Sequence, residues 1–364
     1  MRLFAWANVL IALAPVLALA ESDYGDASHL TAPPVPLVAP SQLPHQSTSP
    51  QQFPGEPIIV APDVIAPDAV DSGLQCGCAD AVNGCTACCC PLWTVRAGVI
   101  FLRRDNQGDR TLSNGATPIT VGGLSFNNYE AGPLVTVIRN NVFNSAYDFE
   151  TTYFGIPSFS NTASSAGATT FLTVPPINFA ARTVTTTYSS NFHSTEFNLR
   201  RRWSDRFTVI NGFRWIEIRD NLATDLVGSS QTINVNNHLY GYQLGADMVF
   251  FRRGRFTIDG FGKAGIYANN ADQTTTHVNI GGAVPALGAS STRAAFVGEL
   301  SLNGMYTIND RWSIRSGYQA LWLDGVALAP DQIATSNILT GASTLDLHGH
   351  PIYHGLTLTA QLIW

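Results

Sequence analysis

Charge is scarce in this chain: Asp, Glu, Lys and Arg together make up 13% of the 364 residues, about half the share usual in a soluble domain. Lysine is nearly missing, since Lys263 is the only one. Residues 21–90 hold eight acids (Glu21, Asp23, Asp26, Glu56, Asp63, Asp68, Asp71 and Asp80) and no base, whereas residues 91–364 balance 18 acids against 19 bases. That composition offers no basic face for a nucleic acid. Long apolar runs are also missing. Beyond residue 20 no segment supplies the roughly 18 uninterrupted apolar residues of a spanning helix, so a membrane form of this chain has to cross as strands. Cysteine is absent outside residues 76–90.

Residues 1–20 read as a secretory signal, with Arg2 as the positive end, Leu3 to Leu17 as the apolar stretch and Ala18-Leu19-Ala20 as the cleavage site. A transmembrane anchor is the competing reading, but Asn8 and Pro15 interrupt the stretch and favour cleavage. Glu21 follows instead of cysteine, which does not indicate lipoprotein processing. Residues 21–75 hold ten of the twenty prolines. Proline removes ladder donors and packs poorly, so the segment is expected to be disordered or polyproline-like. As a periplasmic spacer it reaches at most roughly 170 Å at about 3.1 Å per residue. Cys76, Cys78, Cys85, Cys88, Cys89 and Cys90 follow as a dense group. In an exported protein they imply disulfides, in a small stapled knot ahead of the first strand. The spacing of Cys85 and Cys88 keeps zinc or redox chemistry open, and free thiols are the third reading.

From Leu92 the texture changes to alternation of apolar and polar residues, the period of a strand with one oily and one wetter face. Ten strands are predicted, near 92–103, 132–141, 145–155, 190–203, 206–219, 237–252, 255–269, 293–308, 311–323 and 352–364. In the first, Trp93, Val95, Ala97, Val99 and Phe101 share a face opposite Thr94, Arg96 and Gly98. In the last, Leu356, Leu358, Ala360, Leu362 and Trp364 oppose Thr357, Thr359, Gln361 and Ile363. The connections alternate between five long ones (104–131, 156–189, 220–236, 270–292 and 324–351) and four tight ones (141–144, 204–205, 253–254 and 309–310). Short turns on one side and long loops on the other are the habit of outer-membrane barrels. The fold expected is all-β: a transmembrane antiparallel up-and-down barrel of about ten strands, both barrel ends periplasmic, preceded by the Pro-rich arm. Trp93, Trp203, Trp312 and Trp364 fall at predicted periplasmic ends, and Trp215 and Trp322 near outer ends, as two aromatic girdles. The terminal Trp364 also resembles the insertion signal of such barrels.

Three runs carry a family likeness: G-Y-Q-L-G-A-D-M-V-F (241–250), D-G-F-G-K-A-G-I-Y (259–267) and R-S-G-Y-Q-A-L-W-L-D-G-V-A-L-A-P-D-Q (315–332). They resemble the outer-membrane barrel family called β-barrel protein 7, and L-R-R-D at 102–105 extends the likeness more weakly. The resemblance covers the barrel and not residues 21–90. It implies fold and location; it assigns no chemistry.

The inward face is expected to carry Arg96, Arg139, Asp148, Glu150, Glu196, Arg200, Arg214, Asp247, Asp259, Lys263, Glu299 and Arg315. Opposite charges on neighbouring strands can pair there. Eight strands enclose a space just filled by side chains, and wide aqueous lumens need about sixteen. A ten-stranded lumen of mixed charge is therefore expected to be largely plugged, with a narrow solute or ion channel as the alternative. Lys263 is expected to pair with Asp247, Asp259 or Glu299. Gly260, Gly262 and Gly265 match the dinucleotide fingerprint formally, yet they lie in a strand pattern with no helix behind it, so no cofactor is assigned. His348, His350 and His354, near Asp346 and Asp324, form the best candidate for acid–base or metal work. Without a recognisable nucleophile beside them, no catalytic residue and no metal ligand is assigned. The long loops are rich in Ser, Thr, Asn and Gly, as at 158–170, and specify no partner. The role expected is structural or surface display with a periplasmic tether. The partners expected are outer-membrane lipid, the assembly machinery during insertion, and periplasmic or cell-wall contact through residues 21–90.

Overall fold

Alternation with a period of two builds most of the described residues. The computed structural model describes residues 91–364 apart from 106–109, 143–144, 172, 174–175, 227, 280–281 and 338. The signal, the Pro-rich arm and the cysteine group lie outside the described residues. Ten strands form the wall: β1 (Trp93–Asp105), β4 (Phe126–Val142), β5 (Tyr147–Phe171), β6 (Ile177–Arg202), β7 (Phe207–Leu226), β8 (Ser229–Arg253), β9 (Phe256–Asn279), β10 (Gly282–Thr307), β11 (Trp312–Asp324) and β14 (Ile352–Ile363). Four short strands lie in the connections: β2 (Thr111–Ser113), β3 (Ile119–Thr120), β12 (Ser336–Asn337) and β13 (Ala342–Ser343).

The wall runs β5-β4-β1-β14-β11-β10-β9-β8-β7-β6 and closes through β5–β6. The β1–β14 pairing holds register from Thr94↔Ile363 to Asp105↔Ile352, and Trp93 and Trp364 exchange backbone hydrogen bonds of 2.9 and 3.0 Å. Closure satisfies the ladder groups of the ring, the condition for a sheet to stand in lipid. Its two faces obey the predicted parity. On β14, Thr357, Thr359 and Gln361 are buried inside while Leu356 and Leu358, and Trp364 just past its end, are exposed outside. Oily outside and polar inside inverts a soluble domain and fits a lipid-facing wall. No helix among the described residues is long and apolar enough to cross a membrane.

At one end the wall strands join by the short connections 143–146, 203–206, 254–255 and 308–311. At the other end the structure departs from the sequence reading. Three of the five expected long loops are ladder: β5, β6, β8, β9 and β10 each run 24–26 residues. Their connections shrink to 172–176, 227–228 and 280–281. Such strands span on the order of 60 Å along the barrel axis, at about 3.3 Å per residue and a tilt near 40°, more than twice the apolar band. Ser, Thr and Asn alternation looks like loop composition. In a hairpin, however, these side chains bond across the strands, as Thr162 to Thr187 and Ser164 to Thr185 do at 3.0 Å.

The connections 106–125 and 325–351 remain loops and fold back into the tall end. Leu112, Val121 and Leu124 from the first, and Val326, Leu328, Ile333 and Leu347 from the second, are buried against Val184, Leu222, Ile233 and Val235 of the wall. The apolar core of the molecule sits there, above the polar lumen.

Candidate functional site

The lumen is the place where this sequence concentrates buried charge. Within the girdled part of the wall it is layered. Nearest the short turns, Asp148 accepts from the backbone N–H of Asn141 at 2.9 Å and faces Arg202 at 3.5 Å. In the next layer Arg200 is shared by Glu150 and Asp247, at 2.7 Å each. Arg315 grips Asp259 through both terminal nitrogens, and Arg96 donates from Nε to Gln361 at 2.8 Å. Above them Lys263 lies 2.8 Å from Glu196 and 3.5 Å from Glu299. Arg214 pairs with Glu299 and stands 3.4 Å from Glu196. Asn198, Gln243 and Gln319 donate to these carboxylates at 2.9–3.1 Å. Each carboxylate in this layer meets a cation, which is the requirement for burying it.

Two expectations need correction. Arg139 does not face the lumen. On β4 the buried residues are Phe126, Gly132, Thr136 and Ile138, so Arg139 takes the outward parity and lies over the Trp93 ring, 5.1 Å from its centroid. The ladder is irregular just beyond it, between Arg139 and Val142. Of the three carboxylates expected for Lys263, Glu299 is beside it at 3.5 Å as its ladder partner on β10. The nearest, however, is Glu196 at 2.8 Å, because the curvature of the wall carries β6 across to β9. The other eleven charged candidates lie on the inward face, and all six girdle tryptophans lie on the outward one. Trp215 stacks on Tyr240 at 6.3 Å, and Trp322 packs beside Phe296 at 6.4 Å.

A further layer has no counterpart in the sequence reading. Arg104 bonds both oxygens of Asp220 at 2.8 and 3.0 Å, with neither side chain exposed. Tyr188 and Ser190 also donate to Asp220, at 2.5 and 2.7 Å. The rings of Phe126, Tyr188 and Tyr353 stand 5.5–5.6 Å from the guanidinium carbon. This septum ties β1 to β6 and β7 across the lumen. The predicted strands stop at 103 and 219, one residue short of each partner. Local alternation cannot pair residues 116 positions apart.

Above the septum the loop 325–351 is pinned by amides of β8 and β9. Asn237 exchanges bonds of 2.8 and 2.7 Å with the Ala327 carbonyl and N–H. Gln273 donates to the Thr344 carbonyl at 2.6 Å and to Ser343 at 2.8 Å. The open space left in the charged layers is a cavity of about 70 Å³ lined by Arg96, Glu150, Arg200, Asp247, Lys263 and Arg315 among others, room for a few waters. The late histidines are not brought to one centre. His348 bonds Asp346 at 2.7 Å, His350 bonds the His348 carbonyl at 3.0 Å, and His354 sits between Asp105 at 3.1 Å and Tyr318 at 2.5 Å. Among the described residues no group of three or more His, Cys, Asp or Glu is arranged to hold a metal ion. Gly260, Gly262 and Gly265 lie inside the continuous strand β9.

Solved structures with a similar course include the outer membrane protease OmpT of Escherichia coli, at 9% identity and a TM-score of 0.44, covering 75% of this chain and 96% of that one. The toluene transporter TbuX of Ralstonia pickettii matches at 11% identity and 0.33, over 75% and 90%. The toluene transporter TodX of Pseudomonas putida matches at 8% and 0.31, over 74% and 89%. At such scores these likenesses decide nothing about activity. No curated protein sequence matches the chain. The family model described as "Putative beta barrel porin-7" (BBP7) matches residues 105–345, which takes in Asp220 of the septum but not Arg104, most of the charged layers and most of the inserted loop. Together with the closed ten-stranded ring, that match makes this chain a member of the beta barrel porin-7 family of outer-membrane β-barrels.

Proposed function

We propose that the protein is a closed outer-membrane barrel that displays its tall hairpins at the cell surface and is tethered in the periplasm by residues 21–90. The observation that carries this reading is the double closure of the lumen, by the Arg104–Asp220 septum and by the apolar loop 325–351 above it. Lifting the loop would expose Val326, Leu328, Ile333 and Leu347. At about 1.5–3 kcal/mol each, that costs on the order of 6–12 kcal/mol, beyond the roughly 5.5 kcal/mol that reverses a two-state population. The short connections support a periplasmic setting for that end of the barrel, since periplasmic turns are the short ones. The reading involves outer-membrane lipid and the insertion machinery as partners and assigns no catalysis.

A second reading is favoured by one observation. The 70 Å³ cavity among paired charges, in a family described as porins, is the start of a narrow ion or solute path. Planar-bilayer recording on protein whose folding is verified by heat-modifiable mobility separates the two. No unitary steps are expected. Reproducible steps from the folded protein would replace the closed barrel with the narrow channel.

A further inference from the structure

On the outer wall, where the apolar face gives way to a polar one, the same four-residue arrangement occurs twice. Tyr318 on β11 bonds Nδ1 of His354 on β14 at 2.5 Å. His354 stands opposite Arg103 on β1, and Arg103 pairs with Asp105 two residues on, at 2.8 Å. Tyr153 on β5 bonds Nδ1 of His193 on β6 at 3.0 Å. His193 stands opposite Glu217 on β7, and Glu217 pairs with Arg219 two residues on. In both sets the tyrosine lies two residues before the ladder partner of the histidine, Ala320 in one and Gly155 in the other. The strands follow one another in the same direction around the ring. Arg103 and Glu217 each stand ten residues from the start of their strand, and Tyr318 and Tyr153 each six. The two sets therefore sit at one height, with the order of acid and base exchanged and one further bond in the first set, from His354 Nε2 to Asp105 at 3.1 Å.

Their surroundings mark that height as the lipid–water boundary. On β7 the outward residues before Glu217 are Phe213 and Trp215; those after Arg219 include Asn221 and Asp225. On β1 Val99 and Phe101 precede Arg103, and Asp105 stands in one row with Ile352 and the girdle residue Trp322. Three of the four charged side chains reach outward, Arg103, Asp105 and Arg219 at 35%, 38% and 58% exposed, while Glu217 beside Arg219 is 12% exposed.

We propose that each set holds the headgroup of a zwitterionic lipid of the phosphoethanolamine class. A guanidinium and a carboxylate side by side cancel, so a simple anion meets the acid and a simple cation meets the base. A headgroup bearing a phosphate and an ammonium a few ångströms apart satisfies both, with charge-assisted bonds to each. The Tyr–His pair adds a hydrogen-bonding polar edge where amphipathic side chains are favoured. This assignment stands whether or not the lumen conducts.

Native mass spectrometry of the folded full-length chain, given equal amounts of phosphatidylethanolamine and phosphatidylglycerol with matched acyl chains, tests it. Two phosphatidylethanolamine molecules should be retained by the wild type, one by Arg103→Gln and none by Arg103→Gln combined with Arg219→Gln, with heat-modifiable mobility unchanged. Exchanging the first pair, Arg103→Asp with Asp105→Arg, should keep both lipids, because the second set already carries that order. Equal retention of phosphatidylglycerol, or an unchanged lipid count in the double Gln variant, would overturn the proposal.

Discussion

Arg104 and Asp220 meet with no solvent on either side chain, and the energetics of such a pair are asymmetric. Removing one partner strands the other charge in a low-dielectric interior, at about 3–5 kcal/mol, whereas replacing both by apolar groups is often close to neutral. Asp220→Ala should therefore lower stability by about that amount. Arg104→Met combined with Asp220→Leu should recover most of it. Unfolding followed by loss of the heat-resistant band in a temperature series measures both. Equal losses in the single and the double variant would mean that the septum stabilises by packing alone. The aromatic rings around the guanidinium make that outcome a real competitor, since Phe126, Tyr188 and Tyr353 stay in place in both variants.

Among its described residues the inserted loop 325–351 has no regular structure of its own beyond a 3-10 turn at Asp331–Ala334, the β12–β13 pair and the isolated bridge Val326–Gly349. It is held by side-chain amides and by one carboxyl in an unfavourable place. Burial and the neighbouring Asp346 push the Asp331 carboxyl up to about 6, against the pull of Arg110. A carboxyl whose pKa rises on folding holds its proton more tightly in the folded loop. Its favourable contribution is complete below the unfolded value near 3.8 and fades as the pH climbs through about 6. Amide exchange across 325–351, corrected for intrinsic rates, should show firmer protection at pH 4.5 than at pH 7.5, and Asp331→Asn should abolish the difference. Protection that is weaker at the lower pH would contradict the sign. The tall hairpins around the loop behave differently. Their ladders are continuous, and a glycine close approach such as Gly298 under Trp322, where a Cβ would lie 2.0 Å from the ring, fixes the wall from outside.

Taken whole, the molecule stacks two unlike cores along one axis. Within the girdles the core is ionic and hydrogen-bonded, because lipid covers the outside and only the lumen can carry polar side chains. Beyond the girdles the core is apolar, because water covers the outside and the usual hydrophobic drive returns. The two cores differ in how the ring depends on them. No wall pairing runs through residues 325–351. Replacing that segment by a short Gly-Ser turn should therefore leave a folded, heat-modifiable barrel, with the tall end opened down to the Arg104 layer. Loss of the folded band on gels would show instead that the apolar core is needed to close the ring.

The number of wall strands, their order and the face of nearly every residue were legible in the alternation of the chain, because side-chain parity in a strand is a local property. Arg139 was misassigned although parity holds there, with Ile138 buried and Arg139 facing outward. Leu134, Val135, Val137 and Ile138 make both faces of that stretch apolar, so alternation does not say which one is inner. The heights of the hairpins were not legible. Thr162, Ser164, Thr185 and Thr187 suit a water-exposed ladder as well as a loop, and only pairing distinguishes the two. The partners across the lumen were hidden too: Lys263 with Glu196, and Arg104 with Asp220. Which inward groups meet is set by the circumference, tilt and stagger of the closed sheet. Those quantities exist only once all ten strands have come round to β1.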